Sequence, residues 1–374
     1  MPNDDKHDHD HPHDHDHDHA HEDEAPDPEL QAGWEALEAG NVEAARTAAR
    51  AAIADKDRLL DGLLLDAACA REEGDVKGAL ASLTRAAAED DEWCTPELWM
   101  GELLSEDPER GDEALRHARR ALDLAEEEDE YLGALSLKAA IELDLGRPTE
   151  ARKTLEGLPP ADVPLEDPVA TLDVVELLMD AGDVEQARVR LTTLTTAEPE
   201  LAEAWYLLGA CAELLDDEAG KRAAWVKTRE LDLRDAPAAE DESEQGEGEG
   251  KDGPSLTEDE LVAVAEATLA SFPENLRSLL SNVPIVVAEV PAAADVATGL
   301  DPRLLGLFSG TPHAEAGGVM GHAQLTEILL FRRNLERAAP DEETLREEVR
   351  VTLLHEAGHF FGLDEAALTR LGLD

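Results

Sequence analysis

The sequence predicts a mostly α protein, in which an α-solenoid of stacked helix pairs is followed by a small α+β domain. A short turn signal recurs every 34 to 37 residues between residues 40 and 217, which is typical of arrays with one helix pair per repeat. Aromatic residues make up only 3% of the chain while alanine and leucine abound, which favours packed helices. Three short apolar runs near the carboxyl end indicate strands.

The first 28 residues alternate histidine with aspartate and offer almost no apolar side chain to bury, which predicts a disordered tail. Neutral imidazoles bind metal, and the interleaved carboxylates raise the local concentration of cations. The tail is therefore predicted to bind divalent ions weakly. Its histidines are His7, His9, His11, His13, His15, His17, His19 and His21.

Residues 29–234 carry the repeat. Its turn is glycine followed by one polar residue in five places and a degenerate aspartate pair in the sixth, at Gly40, Gly74, Gly111, Gly146, Gly182 and Asp216. The spacing is that of tetratricopeptide repeats, so we predict about six of them. The third is expected to be the most irregular, because Pro96 and Pro108 interrupt it. Such arrays leave a groove, and a protein partner is expected there.

The remaining chain divides into an acidic flexible linker at 235–255 and a small α+β domain at 256–374. We expect few contacts to cross this linker. The domain opens with a helix near Thr257, where a capping box is predicted, and another helix begins after Asp341. The predicted strands lie within 285–290, 305–308 and 327–331.

One motif in this domain indicates chemistry. His355, Glu356 and His359 form the HExxH spacing of zinc peptidases. Residues four apart share a helix face, so both imidazoles reach one metal ion while the glutamate faces the attacking water. Apolar residues flank the motif on both sides, which predicts a buried helix.

A catalytic zinc site usually takes three protein ligands. Gly362 follows the helical run and is expected to end the helix in the left-handed conformation, folding a carboxylate back toward the metal. Glu365 and Asp364 are the leading candidates for the third ligand. The reserve candidates are His313, His322 and Asp374.

Several ordered stretches carry a family resemblance: residues 301–308, 328–337 and 345–349, and then the run HEAGHFFGLDE from His355. Together they resemble the small bacterial zincin-like metallopeptidases, or minimal zincins, whose pattern is HExxHxxGxxD. The sequence departs from that pattern at its last position, where Glu365 stands in place of aspartate and Asp364 precedes it. The resemblance implies a minimal zincin domain with an acidic third ligand.

Composition limits the partners and the compartment. The formal net charge of −56 repels nucleic acid and anionic membrane surfaces. Cys69, Cys94 and Cys211 are scattered and odd in number, as in proteins of a reducing compartment. No apolar run reaches the roughly 18 residues of a membrane span. A cytoplasmic location is therefore expected.

These observations predict a zinc metallopeptidase in which Glu356 is the general base and the repeats recruit a protein substrate or partner. His313 or His322 would serve if a side chain of this domain stabilises the oxyanion, because Tyr131 and Tyr206 both lie in the repeats. Two other functions stay open. In the first alternative, the chain is a repeat scaffold or adaptor whose zinc domain is catalytically idle. In the second, it is a metal-handling protein led by its tail.

Overall fold

The computed structural model describes residues 27–165, 167–234, 254–280, 283–310 and 327–370. The chain forms two compact units, which divide between Gly146 and Arg147. Most of the predicted tail and most of the predicted linker lie outside the described residues, as do His313, His322 and Asp374. The predicted domain boundaries therefore stay predictions.

The first unit is built from helices. Small residues form much of its core, and Ala45, Ala49 and Ala52 of one helix are fully or almost fully buried, which lets neighbouring helices approach closely. Its helices are α1 (Pro28–Glu38), α2 (Val42–Ile53), α3 (Leu59–Glu72), α4 (Val76–Glu89), α5 (Cys94–Ser105), α6 (Gly111–Leu124) and α7 (Glu128–Asp144).

The second unit begins with helices of the same kind. Glycines with positive φ form their turns, as Gly182 does at 76°, and Asp216 takes the equivalent left-handed conformation at 56°. These helices are α8 (Pro148–Leu155), α9 (Pro168–Asp180), α10 (Val184–Ala197), α11 (Ala202–Leu214) and α12 (Glu218–Arg234). The described part of residues 28–234 thus supplies two α-helices for each of the six predicted turns.

The third turn is irregular, and the structure shows the reason. Pro108 opens a 3-10 turn that ends at Arg110, so Gly111 starts α6 with an ordinary helical φ of −54°. Pro96 is tolerated because it lies in the first turn of α5, where the missing N–H has no helical partner to lose.

After the gap at 235–253, the carboxyl-terminal segment (residues 254–370) mixes helices with a small sheet. Its first helix has the predicted capping box, in which Thr257 Oγ1 accepts from Glu260 N and the Glu260 carboxylate accepts from Thr257 N. The elements are α13 (Glu258–Ala270), α14 (Glu274–Leu280), β1 (Ile285–Ala288), α15 (Ala293–Val296), β2 (Gly306–Ser309), β3 (Glu327–Phe331), α16 (Arg332–Ala338), α17 (Glu342–Phe360) and α18 (Glu365–Thr369).

The three described strands form one sheet in the order β1-β3-β2. β1 runs parallel to β3, whereas β2 runs antiparallel to β3 at the edge. Buried residues of β3 pack with α13, α16 and α17 in one core that includes Ile328, Leu330, Leu261, Leu335 and Leu353. The mostly α fold class with a small α+β segment is therefore confirmed.

The expectation of few contacts between the repeats and the carboxyl-terminal segment is wrong. Helix α12 packs against α15, and Arg229 Nε of α12 donates to the carbonyl oxygen of Pro291 at 2.7 Å. A linker sequence indicates only that its own residues have few apolar side chains to bury. It carries no information on whether the parts of the chain before and after it contact each other.

Among the described helices, none is long and apolar enough to cross a membrane.

Candidate metal centre

Helix α17 carries the HExxH residues, and its sequence accounts for both its start and its orientation. The Asp341 side chain caps the first turn by accepting from Thr344 N at 2.8 Å. This hydrogen bond from the backbone holds the pKa of Asp341 below its usual value. Leu345, Val349 and Leu353 recur at four-residue steps and are fully buried. This buried face continues to Glu356.

The two motif histidines converge as the spacing predicts. His355 Nε2 and His359 Nε2 are 2.9 Å apart, and both side chains are half-buried. Two imidazole nitrogens that share a zinc ion each lie about 2.0–2.1 Å from it, and so at most about 4.2 Å from each other. The pair fits a single zinc ion.

The end of α17 orients one of these imidazoles. Gly362 takes a φ of 83°, its N–H donates to His359 O, and Leu363 N donates to Gly358 O, which is the Schellman arrangement of a helix end. Leu363 O then lies 3.2 Å from His359 Nδ1. A proton on Nδ1 would satisfy this carbonyl and leave Nε2 as the nitrogen that can accept a metal ion.

The third ligand is not assembled among the residues that the structure describes. No group of three His, Cys, Asp or Glu side chains suited to a metal ion occurs among them. Asp364 is exposed, and its carboxylate caps α18 by accepting from Ala367 N at 2.9 Å. Glu365 begins α18, but its side chain is not among those that the structure describes.

Glu356 has a partner that the sequence did not indicate. Its side chain is only 6% exposed, and Oε2 accepts from the backbone N–H of Phe308 in β2 at 2.6 Å. A buried carboxylate needs such a donor, since leaving it unpaired is costly. Strand β2 therefore holds the glutamate of the motif in place from the edge of the sheet.

Gly306 allows this close approach. A Cβ atom at Gly306 would lie 2.5 Å from Thr352 Cγ2, 3.1 Å from Glu356 Cγ and 3.2 Å from Leu329 O. Only a residue without a side chain fits between α17 and β3 at this point. The sequence signal was a glycine inside an apolar strand, which indicates close backbone approach but not the group that approaches.

We expect Gly306→Ala to destabilise the chain by about 1–3 kcal/mol through overpacking and to shift Glu356 relative to the histidines. Chemical denaturation measures the loss of stability. Adding Thr352→Ser removes Cγ2, the nearest atom, so the double variant is expected to recover part of that loss. Equal stabilities for Gly306→Ala and the unchanged protein would show that α17 and β2 are not in close contact.

A comparison with protein families matches one part of the chain. Residues 280–373 match the family model described as zincin-like metallopeptidase. No curated protein matches the chain.

Among solved structures, that of pilF from Pseudomonas aeruginosa is 20% identical over 54% of this chain and 90% of its own, with a TM-score of 0.42. A tetratricopeptide repeat protein from Parabacteroides merdae is 14% identical over 67% and 95%, with a TM-score of 0.39. YrrB, described as a tetratricopeptide repeat protein with an unusual peptide-binding site, is 18% identical over 49% and 91%, with a TM-score of 0.37. Likeness at this level extends no function to the chain.

The matched range contains His355, Glu356 and His359 together with β2, the strand that contacts Glu356. The predicted resemblance is therefore confirmed for residues 280–373, which match the zincin-like metallopeptidase family and are called the metallopeptidase segment below.

Proposed function

We propose that this chain is a zinc-dependent peptidase in which His355 and His359 hold the metal and Glu356 is the general base. The observation that carries the proposal is the placement of three groups on one helix. Two Nε2 atoms lie 2.9 Å apart, and the intervening glutamate is buried with a backbone donor at 2.6 Å. A purely structural zinc site closes with four protein ligands and needs no base beside it.

The residues of this site divide the work of hydrolysis. A zinc ion held by His355 and His359 would supply Lewis-acid chemistry, which makes water a better nucleophile and polarises a carbonyl group. Glu356 takes the proton of the attacking water and later passes it to the leaving amine. Strand β2 is an edge strand of the described sheet, so an extended peptide can align beside it through main-chain hydrogen bonds.

A chelator experiment tests this function. The full chain is incubated with a mixture of short peptides, and the products are identified by mass spectrometry. We expect cleavage that a zinc chelator stops and added zinc restores. Cleavage that survives the chelator would contradict a zinc-dependent peptidase.

The repeats are proposed to recruit a protein partner or substrate. Arrays of helix pairs bury a continuous core and leave extended binding surfaces, and residues 28–234 fold into successive helices α1 to α12. The compartment of the chain stays a prediction, and so does metal binding by the tail.

We further propose Glu365 as the third ligand, because Asp364 already serves as the cap of α18. Asp364→Asn keeps a capping side chain but removes the charge, so it is expected to leave zinc affinity unchanged. Glu365→Gln is expected to weaken zinc affinity by more than about 100-fold. Loss of a residue that only contacts a ligand costs roughly 10- to 100-fold. Zinc titration against a fluorescent chelator compares the two variants. Larger loss in Asp364→Asn would assign the ligand to Asp364.

A further inference from the structure

The loop that leads into β2 is fixed to the last two repeat helices by one arginine. Arg303 Nε and Nη2 lie 3.2 Å and 3.3 Å from the two carboxylate oxygens of Asp232 in α12. Arg303 Nη1 also donates to Glu203 of α11. A single side chain therefore joins both helices of this pair to the metallopeptidase segment.

The same arginine is supported by an aromatic ring. The Arg303 guanidinium lies 4.4 Å from the ring centroid of Tyr206 in α11, a favourable cation–π distance. Tyr206 OH donates to Asp301 Oδ2 at 3.1 Å, and Asp301 Oδ1 accepts from Arg303 N at 2.7 Å. Burial and the Asp301 charge raise the pKa of Tyr206 to about 12, so the hydroxyl stays a donor at neutral pH.

Burial separates this network from ordinary surface ion pairs. The side chains of Arg303 and Asp232 are only 14% and 8% exposed, whereas Arg350 and Glu347 on α17 are 48% and 61% exposed. Exposed pairs contribute little to stability. Removing Arg303 would leave the buried Asp232 carboxylate with only its pair to Arg337 at 3.0 Å, and lysine cannot replace the fork of an arginine.

The network acts close to the candidate site. Asn334 Nδ2 of α16 donates to Pro302 O at 2.9 Å and to Leu304 O at 2.7 Å, so the loop around Arg303 is held from both sides. Three residues beyond Arg303 the chain enters β2 at Gly306, where a Cβ atom would meet Thr352 and Glu356 of α17. Phe308 of the same strand donates to Glu356.

We propose that Arg303 is a positioning residue, through which repeat helices α11 and α12 hold β2 against Glu356. The repeats are then part of the peptidase unit, and a partner that shifts α11 or α12 changes turnover as well as substrate capture. The catalytic part of this inference rests on the proposed function, whereas the positioning of β2 does not.

The test uses the full chain with Arg303→Met and the matched control Arg332→Met. Arg332 pairs with Glu289 at 2.8 Å and Glu336 at 3.5 Å, all within the metallopeptidase segment, so its loss leaves the link to the repeats intact. Hydrogen exchange of a peptide covering β2 is measured first, since it needs no activity. We expect faster exchange in Arg303→Met, an unchanged rate in Arg332→Met, and no recovery in Arg303→Lys.

Turnover of a short peptide is the second measurement. Misplacement of catalytic groups by about 1 Å can cost 10²-fold, so we expect kcat to fall tenfold or more in Arg303→Met, with KM and zinc content unchanged. A chain with no activity at all but faster β2 exchange in Arg303→Met would contradict the peptidase and leave the positioning role standing. Exchange in β2 that matches the unchanged protein would overturn the positioning role.

Should Arg303→Met fail to fold, hydrogen exchange of β2 is compared between Tyr206→Phe and the unchanged protein instead. It removes only the hydroxyl that binds Asp301 and keeps the ring under the guanidinium. We expect a smaller increase in β2 exchange than full loss of Arg303 would give. No increase in a folded Tyr206→Phe variant would likewise overturn the proposal.

Discussion

Glu356→Gln is expected to lower peptide hydrolysis by about 10²- to 10⁴-fold, the usual contribution of a general base. Glutamine is close to isosteric, and its carbonyl oxygen can still accept from Phe308 N, as Glu356 Oε2 does at 2.6 Å. The fold and the histidine pair should therefore persist while the proton acceptor is lost. Initial rates on a fluorogenic peptide measure the activity, and elemental analysis measures the zinc that remains.

Glu347→Gln is the matched control for this variant. It makes the same change on the same helix, at a side chain that is 61% exposed and pairs with Arg350. We expect wild-type rates from it. Wild-type rates from Glu356→Gln would remove Glu356 from the mechanism.

Replacing His355 or His359 by alanine is expected to abolish both zinc binding at the site and hydrolysis. Each histidine supplies one of two nitrogens that lie 2.9 Å apart, so either change leaves one imidazole. A ligand that binds only the folded chain at 1,000 times its dissociation constant adds about 4 kcal/mol of stability. Thermal unfolding with and without zinc should show this gain in the unchanged protein and not in the variants.

This readout distinguishes the site from the predicted metal-binding tail, because ions bound to a tail without a fold bind folded and unfolded chains alike. His117→Ala serves as the control. His117 lies in α6 of the first unit, where Nδ1 is 2.7 Å from Glu97 Oε2. A zinc-induced gain in stability that survives in both motif variants would place the stabilising zinc elsewhere.

Local sequence patterns were sufficient to predict the parts of the candidate site that lie on one helix. The spacing of His355, Glu356 and His359 and the glycine at Gly362 predicted two converging imidazoles and a left-handed helix end, and both are present. Such features depend on neighbours within one or two turns, so helix geometry determines them. The capping box at Thr257 was predictable for the same reason.

Contacts between distant parts of the chain were not predictable in this way. The hydrogen bond from Phe308 to Glu356 spans 48 residues, and the bond from Arg337 to Asp232 spans 105. Neither side of such a pair carries a periodic or motif signal that identifies the other. For this reason the predicted linker suggested that the repeats and the metallopeptidase segment are independent. In the structure, Arg303 and Arg229 join the last repeat helices to that segment.

Hydrolysis in water enriched in ¹⁸O tests most directly whether the HExxH helix is a peptidase site. The full chain and its Glu356→Gln variant, both loaded with zinc, are incubated with the same peptides, and the products are weighed by mass spectrometry. The proposed mechanism predicts that the unchanged protein places one ¹⁸O atom in each newly formed carboxyl group, and that the variant forms no such product above the uncatalysed level. Labelled products at equal rates from both proteins would contradict it.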